Sequence, residues 1–296
     1  MQAMILAAGF GTRLLPYTQY RPKPLFPVLN TPLLLLTINR LKADGFDHIV
    51  VNCHHLKEQI IEVLSGINGV IVQDEGVILG TGGGLRKALD TLHDEPLLVI
   101  NGDIYHTVDC RKLYVQHQQS GAEVTLAVHD YPRFNTLLIE DGRLLGFAEN
   151  DRQGNMAFTG IHVLNPEVLE PINVNKKSCI IARYSAMLQQ KPEAFSTSAV
   201  DDCFWTDMGT PADYLKLHGD ILQQKVPSLS ELGNAAESSF CVDYHCSYSG
   251  DLTMEDWACV GRCTIGKNVN IVRSIIWEDA VIPDNSRIVD TIFVNK

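Results

Sequence analysis

The hydrophobic residues in the first half of the chain fall into short continuous runs, separated by segments with helical spacing. Residues 3–8, 48–53 and 96–101 are such runs, which are typical of strands buried on both faces of a parallel sheet. Residues 56–64 and 110–120 instead repeat apolar positions three or four apart, which predicts helices. This alternation predicts an α/β fold: a Rossmann-like, mixed but mostly parallel sheet with helices on both faces.

Later in the chain the pattern changes twice. Two apolar runs enclose Asp141-Gly142, a pair that is typical of a tight β-hairpin. Residues 226–259 contain Pro, Ser, Gly and Asn and are predicted to be a linker. From residue 260 on, apolar residues recur at close to six-residue steps, which indicates a short left-handed β-helix over 260–296. An irregular hairpin tail is the alternative, and residues 1–225 form the main domain in either case.

The charges are unevenly distributed along the chain. Its 296 residues include 24 Lys and Arg against 35 Asp and Glu, a formal net charge of −11. This balance argues against nucleic acid or an anionic membrane as a partner. Residues 1–43 nevertheless contain no acidic residue and carry five cations: Arg13, Arg21, Lys23, Arg40 and Lys42. The beginning of the chain therefore indicates an anionic ligand.

The eight cysteines are expected to be reduced thiols of a cytoplasmic protein, because no secretory signal accompanies them. No apolar run reaches the length of a membrane span, so no membrane partner is expected. One group raises the alternative of a zinc site, although it lacks a CxxC pair: Cys241, His245, Cys246, Cys259 and Cys263.

The loop that follows the first predicted strand, within the acid-free residues 1–43, has the composition of a phosphate-binding loop. Gly9 and Gly11 follow the first predicted strand, where glycine lets backbone N–H groups approach an anion closely. Arg13 can bind phosphate oxygens with its forked guanidinium, and Lys23 adds a point charge between two prolines. A Rossmann dinucleotide loop does not fit, because Leu14 stands where its third glycine would be. Neither a P-loop motif nor a GxSxG hydrolase motif occurs.

The loop resembles the opening signature of the sugar-1-phosphate nucleotidyltransferases, the nucleotide-sugar pyrophosphorylases. The resemblance rests on LAAGFGTRLLPYTQYRPKPLFPVLNTPLL and continues in LGTGGG at 79–84, NGD at 101–103, FTGI at 158–161 and WTDMGTP at 205–211. Within this family the chain is most similar to mannose-1-phosphate guanylyltransferases and N-acetylmuramate 1-phosphate uridylyltransferases. The resemblance implies that a sugar 1-phosphate oxygen attacks the α-phosphate of a nucleoside triphosphate in line, with Mg²⁺ bound and pyrophosphate leaving.

The resemblance also assigns expected roles residue by residue. Asp103 and Asp207 are the expected Mg²⁺ ligands, and Arg13, Lys23 and Asp103 are the expected catalytic residues. Arg13 is also an expected nucleotide contact. The other nucleotide contacts are expected from the glycine-containing loops: Leu6, Ala7, Ala8, Gly9, Gly11, Thr12, Gly80, Thr81, Gly82 and Gly83. The expected sugar contacts are Glu149, Thr159 and Gly160.

Several substrate questions stay open at this point. Many relatives follow the sugar-binding glutamate with lysine, whereas Glu149 is followed by Asn150, so the sugar is not fixed. GTP and UTP are both compatible with the glycine loop, and the β-helical tail favours GTP. A non-catalytic regulatory subunit and a hexapeptide acyltransferase are alternatives from other classes. A short β-helix with an exposed end also predicts a homo-oligomer.

Overall fold

The computed structural model describes residues 1–148 and 155–295, and a mixed sheet organises the first part of them. In the described residues this sheet has nine strands. Its main path runs, in spatial order, through Arg143–Phe147, Asn135–Glu140, Met156–Leu164, Leu97–Asn101, Gln2–Leu6, His48–Cys53 and Val70–Asp74. Val124–His129 pairs with Met156–Leu164 and with Phe195–Ala199.

The centre of the sheet is parallel, as the continuous apolar runs predict. Gln2–Leu6 pairs in parallel with His48–Cys53 on one side and with Leu97–Asn101 on the other. Residues 3–5 are fully buried, which explains why this strand lacks the alternation of a half-exposed strand. Met156–Leu164 is antiparallel to Leu97–Asn101, which makes the sheet mixed.

Six α-helices belong to the described residues: Leu33–Ala43, Lys57–Leu64, Gly80–Ala88, Cys110–Ser120, Ile180–Gln190 and Pro211–Leu222. Short 3-10 helices occur at Thr12–Leu14, Tyr17–Gln19, Lys23–Leu25, Leu89–Thr91, Pro166–Leu169, Pro192–Ala194 and Ser230–Ala236. The helices predicted at 56–64 and 110–120 are confirmed to within one residue. The Asp109 carboxylate caps the second of these by accepting the N–H of Lys112.

The hairpin at Asp141-Gly142 is also confirmed. It joins Asn135–Glu140 to Arg143–Phe147, and both turn residues have positive φ, 49° and 74°. These angles are what a two-residue hairpin turn of the twisted sheet requires, and Asp and Gly adopt them more readily than most residues. The remaining strands before the tail are short: Pro27–Val28, Thr31–Pro32, Ile104–His106 and Trp205–Asp207.

The described chain divides into two compact units. The first unit joins Met1–Phe10 to Ile38–Trp205 and contains the nine-stranded sheet. The second joins Gly11–Thr37 to Thr206–Lys296. The boundary predicted at residue 225 therefore falls inside the second unit, and residues 11–37 lie in the same unit as the C-terminal strands. The division of the chain into functional domains stays a prediction.

The C-terminal strands are parallel and form a regular ladder. They are Phe240–Val242, Ser247–Tyr248, Leu252–Val260, Thr264–Ile265, Val269–Ile276, Val281–Ile282, Arg287–Val289 and Ile292–Phe293. Leu252 pairs with Val269 and Asn270 with Arg287, 17 positions apart, and after a register shift Ala258 pairs with Ser274, 16 positions apart. Their apolar side chains form a buried cluster that includes Ile265, Ile271 and Ile282. Parallel strands, which a β-helix requires, are therefore present in this part of the chain, and we call residues 240–295 the tail.

The predicted linker at 226–259 needs a correction, because the tail begins at Phe240 and not at 260. The reason is chemical. Cys246 packs against the apolar cluster of the tail and Cys263 belongs to it, so these thiols take the place of aliphatic side chains. Cysteines that are counted as possible metal ligands break the six-residue pattern, whereas cysteines that are counted as small hydrophobic residues extend it.

Candidate active site

The carboxyl ends of the three central strands are aligned. Two of the motifs on which the family resemblance rests, the first glycine loop and Asn-Gly-Asp, begin there. Leu6 is in register with both Asn52 and Asn101. The Ala7 N–H donates to Asn52 Oδ1 at 2.7 Å, and the Gly102 N–H donates to the Leu6 carbonyl at 2.9 Å. These bonds place the start of the first glycine loop beside the Asn-Gly-Asp motif, at the edge of a sheet where ligands of α/β proteins bind.

Asp103 and Gly9 are both accessible at this edge. Asp103 is half-buried and directly precedes the strand Ile104–His106. Gly9 is exposed, and a Cβ built on it would meet no atom within 4 Å. The first unit therefore leaves open space at the backbone of Gly9, as a bound phosphate would need.

A buried polar pair that the sequence analysis missed connects the two glycine loops. Asn52 Nδ2 donates to Glu75 Oε1 at 2.8 Å, and the Leu79 N–H donates to Glu75 Oε2 at 3.1 Å. Since Asn52 Oδ1 accepts from Ala7, a continuous chain of hydrogen bonds runs from Ala7 to Leu79. The signals in the sequence are a polar residue inside the run at 48–53 and an acidic residue just before the second glycine loop.

The glycines of that second loop are explained by close packing within the first unit. Gly80 has a φ of +70°, and a Cβ there would lie 2.6 Å from the Ser178 carbonyl oxygen. The N–H groups of Gly82 and Gly83 donate to the same oxygen, at 2.9 and 3.4 Å. The Thr81 hydroxyl accepts the N–H of Ile180 at 3.0 Å. These groups support the fold, and their expected contact with a nucleobase stays a prediction.

Of the expected sugar contacts, Thr159 is hydrogen-bonded within the fold, and Gly160 lies very close to the side chain of Asn101. Thr159 is buried, and its hydroxyl donates to the Ala127 carbonyl at 2.8 Å. Gly160 has a φ of +76°, and a Cβ there would lie 2.3 Å from Asn101 Nδ2. Glu149 lies outside the described residues, as does Asn150. The predicted sugar site is therefore represented in the structure by the bulge at Thr159-Gly160 alone.

In the second unit, Gly11 starts a compact turn that carries Thr12 and Arg13. Its φ is +61°, in the left-handed region, and a Cβ would lie 2.9 Å from Thr18 Cγ2. The Thr18 hydroxyl donates to the Gly11 carbonyl at 3.2 Å, which closes the turn. Only glycine fits this position without strain, so the second glycine of the signature has a structural reason.

Arg13 lies beside Asp207, the carboxylate that the family resemblance predicts to be a Mg²⁺ ligand. Arg13 Nη2 is 3.5 Å from Asp207 Oδ2, and the two side chains are 58% and 13% exposed. Gly209 makes room for the pair, because a Cβ there would lie 2.3 Å from Asp207 Oδ2 and 2.8 Å from Arg13 Nη1. An exposed guanidinium therefore sits next to a largely buried carboxylate.

Lys23 is held in a rigid turn of the same unit. It begins the 3-10 helix Lys23–Leu25, with a proline on each side. The residue is 6% exposed, which is unusual for lysine. The Leu25 N–H donates to the Pro22 carbonyl at 2.9 Å and the Phe26 N–H to the Lys23 carbonyl at 3.0 Å. The backbone at Lys23 is therefore held by the turn, and its side chain is almost completely buried.

Two buried thiols of the first unit, Cys53 and Cys110, are not prepared for nucleophilic chemistry. Burial raises the pKa of Cys53, at the end of its strand, to about 11, and that of Cys110 to about 12. In the tail the Cys246 and Cys263 sulfurs are 3.5 Å apart. Among the described residues, no three or more His, Cys, Asp and Glu side chains gather as a metal site, so the zinc alternative gains no support. Nor does any helix of residues 1–148 and 155–295 have the length and apolarity to cross a membrane.

Comparisons with known proteins identify the family to which the chain belongs. The family model described as nucleotidyl transferase matches residues 2–224. Mannose-1-phosphate guanylyltransferase 1 of Arabidopsis thaliana is 30% identical over 95% of this chain and 79% of its own length. D-glycero-alpha-D-manno-heptose 1-phosphate guanylyltransferase of Aneurinibacillus thermoaerophilus is 30% identical over 75% of this chain and 98% of its own. The crystal structure of HddC from Yersinia pseudotuberculosis has the same fold over 73% of this chain and 97% of its own, with a TM-score of 0.61 at 24% identity.

Proposed function

Because the chain belongs to the nucleotidyl transferase family and is a sugar-1-phosphate nucleotidyltransferase, we propose that it makes a GDP-sugar from GTP and a hexose or heptose 1-phosphate. The observation that supports the proposed reaction is the composition of the second unit. Arg13, Lys23 and Asp207 all belong to it, and Gly11, in the turn that carries Arg13, occupies a position that no other residue takes without strain. The lean towards GTP and a manno-configured sugar rests on the two relatives, both of which are named guanylyltransferases.

The side chains are suited to hold a triphosphate. Arg13 is exposed enough for its forked N–H groups to bind phosphate oxygens, and Lys23 contributes a fixed positive charge. Phosphoryl transfer requires little covalent help from a protein, because catalysis is mostly positioning and neutralisation of the charge on the phosphates. The proposed roles of Arg13 and Lys23 are therefore electrostatic.

Asp103 and Asp207 are the residues proposed to hold Mg²⁺. Both supply carboxylate oxygens, the donors that this hard cation prefers, and Mg²⁺ takes few protein ligands when substrate phosphates complete its shell. Asp207 is largely buried, and its Oδ2 lies 3.5 Å from Arg13 Nη2, so a carboxylate oxygen and a phosphate-binding cation are neighbours in the second unit. When bound, the metal would neutralise charge on the phosphates.

A pyrophosphate-release matrix tests the proposal. Each of the four common NTPs is paired with mannose, heptose, glucose, N-acetylglucosamine and N-acetylmuramate 1-phosphates. GTP with a manno-configured sugar is expected to give the highest kcat/KM. Preference for UTP with N-acetylmuramate 1-phosphate would replace the proposal with the uridylyltransferase alternative. Absence of turnover in the whole matrix would favour the regulatory-subunit alternative.

Matched variants separate the site from the fold. Asp103→Asn and Lys23→Met remove charge and nearly keep shape, and each is expected to lower kcat/KM by at least about 100-fold. Asp109→Asn is the control, because Asp109 is an exposed aspartate just beyond the short strand that follows Asp103, and asparagine also caps a helix. Activity of Asp103→Asn equal to that of the control would refute the assigned role.

We further propose that the tail is a short left-handed β-helix. The support is the parallel register, with partners 16 or 17 positions apart, and the buried apolar cluster that it encloses. The homo-oligomer and the cytoplasmic location stay predictions.

A further inference from the structure

We propose that the tail positions Lys23 for the reacting phosphates, and that Trp277 and Glu278 are the residues of the tail through which it does so. The inference rests on the proposed function, since it takes the role of Lys23 from there. Its basis is that the second unit fixes the chain on both sides of Lys23 to one strand end of the tail.

The contact on the N-terminal side of Lys23 is made by Arg21. Its guanidinium donates two hydrogen bonds to the Glu278 carboxylate, one of them from Nη1 to Oε2 at 3.1 Å. The guanidinium carbon also lies 4.6 Å from the centre of the Trp277 ring. A bidentate pair fixes the plane of the guanidinium, and the ring beneath it adds a cation–π contact. The Arg21 side chain is 19% exposed, so water screens this pair only in part.

The contact on the C-terminal side is apolar and ends in a hydrogen bond. Phe26 is fully buried and meets Trp277 edge-on, with ring centres 4.8 Å apart. The Tyr214 hydroxyl accepts from Trp277 Nε1 at 3.3 Å and donates to the Pro27 carbonyl. Trp277 therefore touches the chain on both sides of Lys23, directly and through Tyr214.

A second attachment lies one strand away in the tail. Asn30 Nδ2 donates to the Val260 carbonyl at 2.9 Å, and the Cys259 thiol donates to Asn30 Oδ1 at 3.3 Å. Val260 is the register partner of Ile276, the residue before Trp277. Two neighbouring strands of the tail thus hold the segment from Arg21 to Asn30.

The attachment matters for Lys23 because the intervening chain is stiff. Pro22 and Pro24 each fix φ, which leaves fewer backbone rotations that could absorb a displacement of Arg21 or Phe26, so part of such a displacement is passed on to Lys23. Catalysis by positioning is sensitive to such displacements, since an error of about 1 Å can cost about 100-fold in rate. The tail then acts on the reaction without touching a substrate.

The test compares two neighbouring acidic residues of the tail. Glu278→Gln keeps the shape of the side chain and removes the charge that holds Arg21. Asp279→Asn is the matched control: Asp279 is adjacent, exposed, and paired with Arg262 at 3.0 Å instead of with the segment 21–30. We expect Glu278→Gln to lower kcat for pyrophosphate release by about tenfold and Asp279→Asn to leave it unchanged.

The decisive readout is the same substitution in a Lys23→Met background. If Glu278 acts through Lys23, Glu278→Gln adds no further loss there, and amide exchange at Leu25 and Phe26 is faster in Glu278→Gln than in Asp279→Asn. A loss of equal size in both backgrounds would show that Glu278 only stabilises the fold and would overturn the inference. Full activity of Glu278→Gln, with Lys23→Met impaired, would also overturn it but leave the proposed function intact. Full activity of Lys23→Met would instead overturn the proposed role of Lys23 and, with it, this inference.

Discussion

Replacing Glu75 by Gln is expected to leave one buried hydrogen bond of the first unit unmade. The chain of bonds begins and ends with a backbone donor, the N–H of Ala7 and that of Leu79. Asn52 must present its oxygen to Ala7 and its amide nitrogen to residue 75, which must then accept from both sides. A carboxylate can do so, whereas glutamine has one acceptor and one donor. Whichever way the two amides are flipped, two donors face each other at one contact.

The burial of the site sets the size of the effect. Glu75 is 1% exposed and Asn52 is 3% exposed, so water cannot replace the missing partner. A buried donor without an acceptor costs about 1–3 kcal/mol. For a chain of this size, about 1 kcal/mol corresponds to roughly 2 °C in Tm, so the expected decrease is roughly 2–6 °C.

A compensating substitution makes the test specific. Asn52→Asp alone places two carboxylates 2.8 Å apart, in place of Asn52 Nδ2 and Glu75 Oε1, and is expected to destabilise the protein more than Glu75→Gln. Combined with Glu75→Gln it restores a donor and an acceptor at every contact and keeps one negative charge. The double variant is therefore expected to be more stable than either single variant, as measured by the free energy of unfolding in urea. Simple addition of the two losses would refute the assigned network.

The remaining predictions concern strained glycines and buried histidines. Gly160→Ala is expected to lower stability by at least about 2 kcal/mol, because its Cβ would overlap Asn101 at a positive φ; unchanged thermal unfolding would contradict this. Gly209→Ala is expected to push Arg13 and Asp207 apart, because its Cβ would overlap both side chains, and so to raise the KM for the NTP. An unchanged KM would contradict this. Burial lowers the pKa of three histidines below the ordinary value of 6.5, to about 3, 3 and 4: His106, His162 and His218. The unfolded chain then binds more protons than the folded one below pH 6.5, so stability is retained above that pH and is lost progressively as the pH falls towards 4. Urea unfolding between pH 7 and 4 checks this, and a flat profile would refute it.

The parts of the fold that the sequence could predict are those that depend on local composition. The parallel centre of the sheet follows from apolar runs, and the hairpin follows from Asp141-Gly142, because each pattern carries its own physical reason. Asn52 and Glu75 could not be paired in the same way. They are 23 residues apart and bond only because two parallel strands place them side by side. A polar residue in a buried run indicates that a hydrogen-bond partner is needed, but the sequence does not identify that partner.

The domain boundary shows the same limit on a larger scale. The tail begins at Phe240, 217 residues after Lys23 (240 − 23), and each pattern is complete by itself. A division at residue 225 therefore looks natural in the sequence. In the second unit, however, the Leu29 N–H donates to His218, and Asn30 donates to Val260. Phe26, which has no solvent exposure, packs against Trp277. The segment that carries Lys23 therefore packs its apolar residues against the tail, and this explains why residues 11–37 are grouped with strands that follow them so far along the chain.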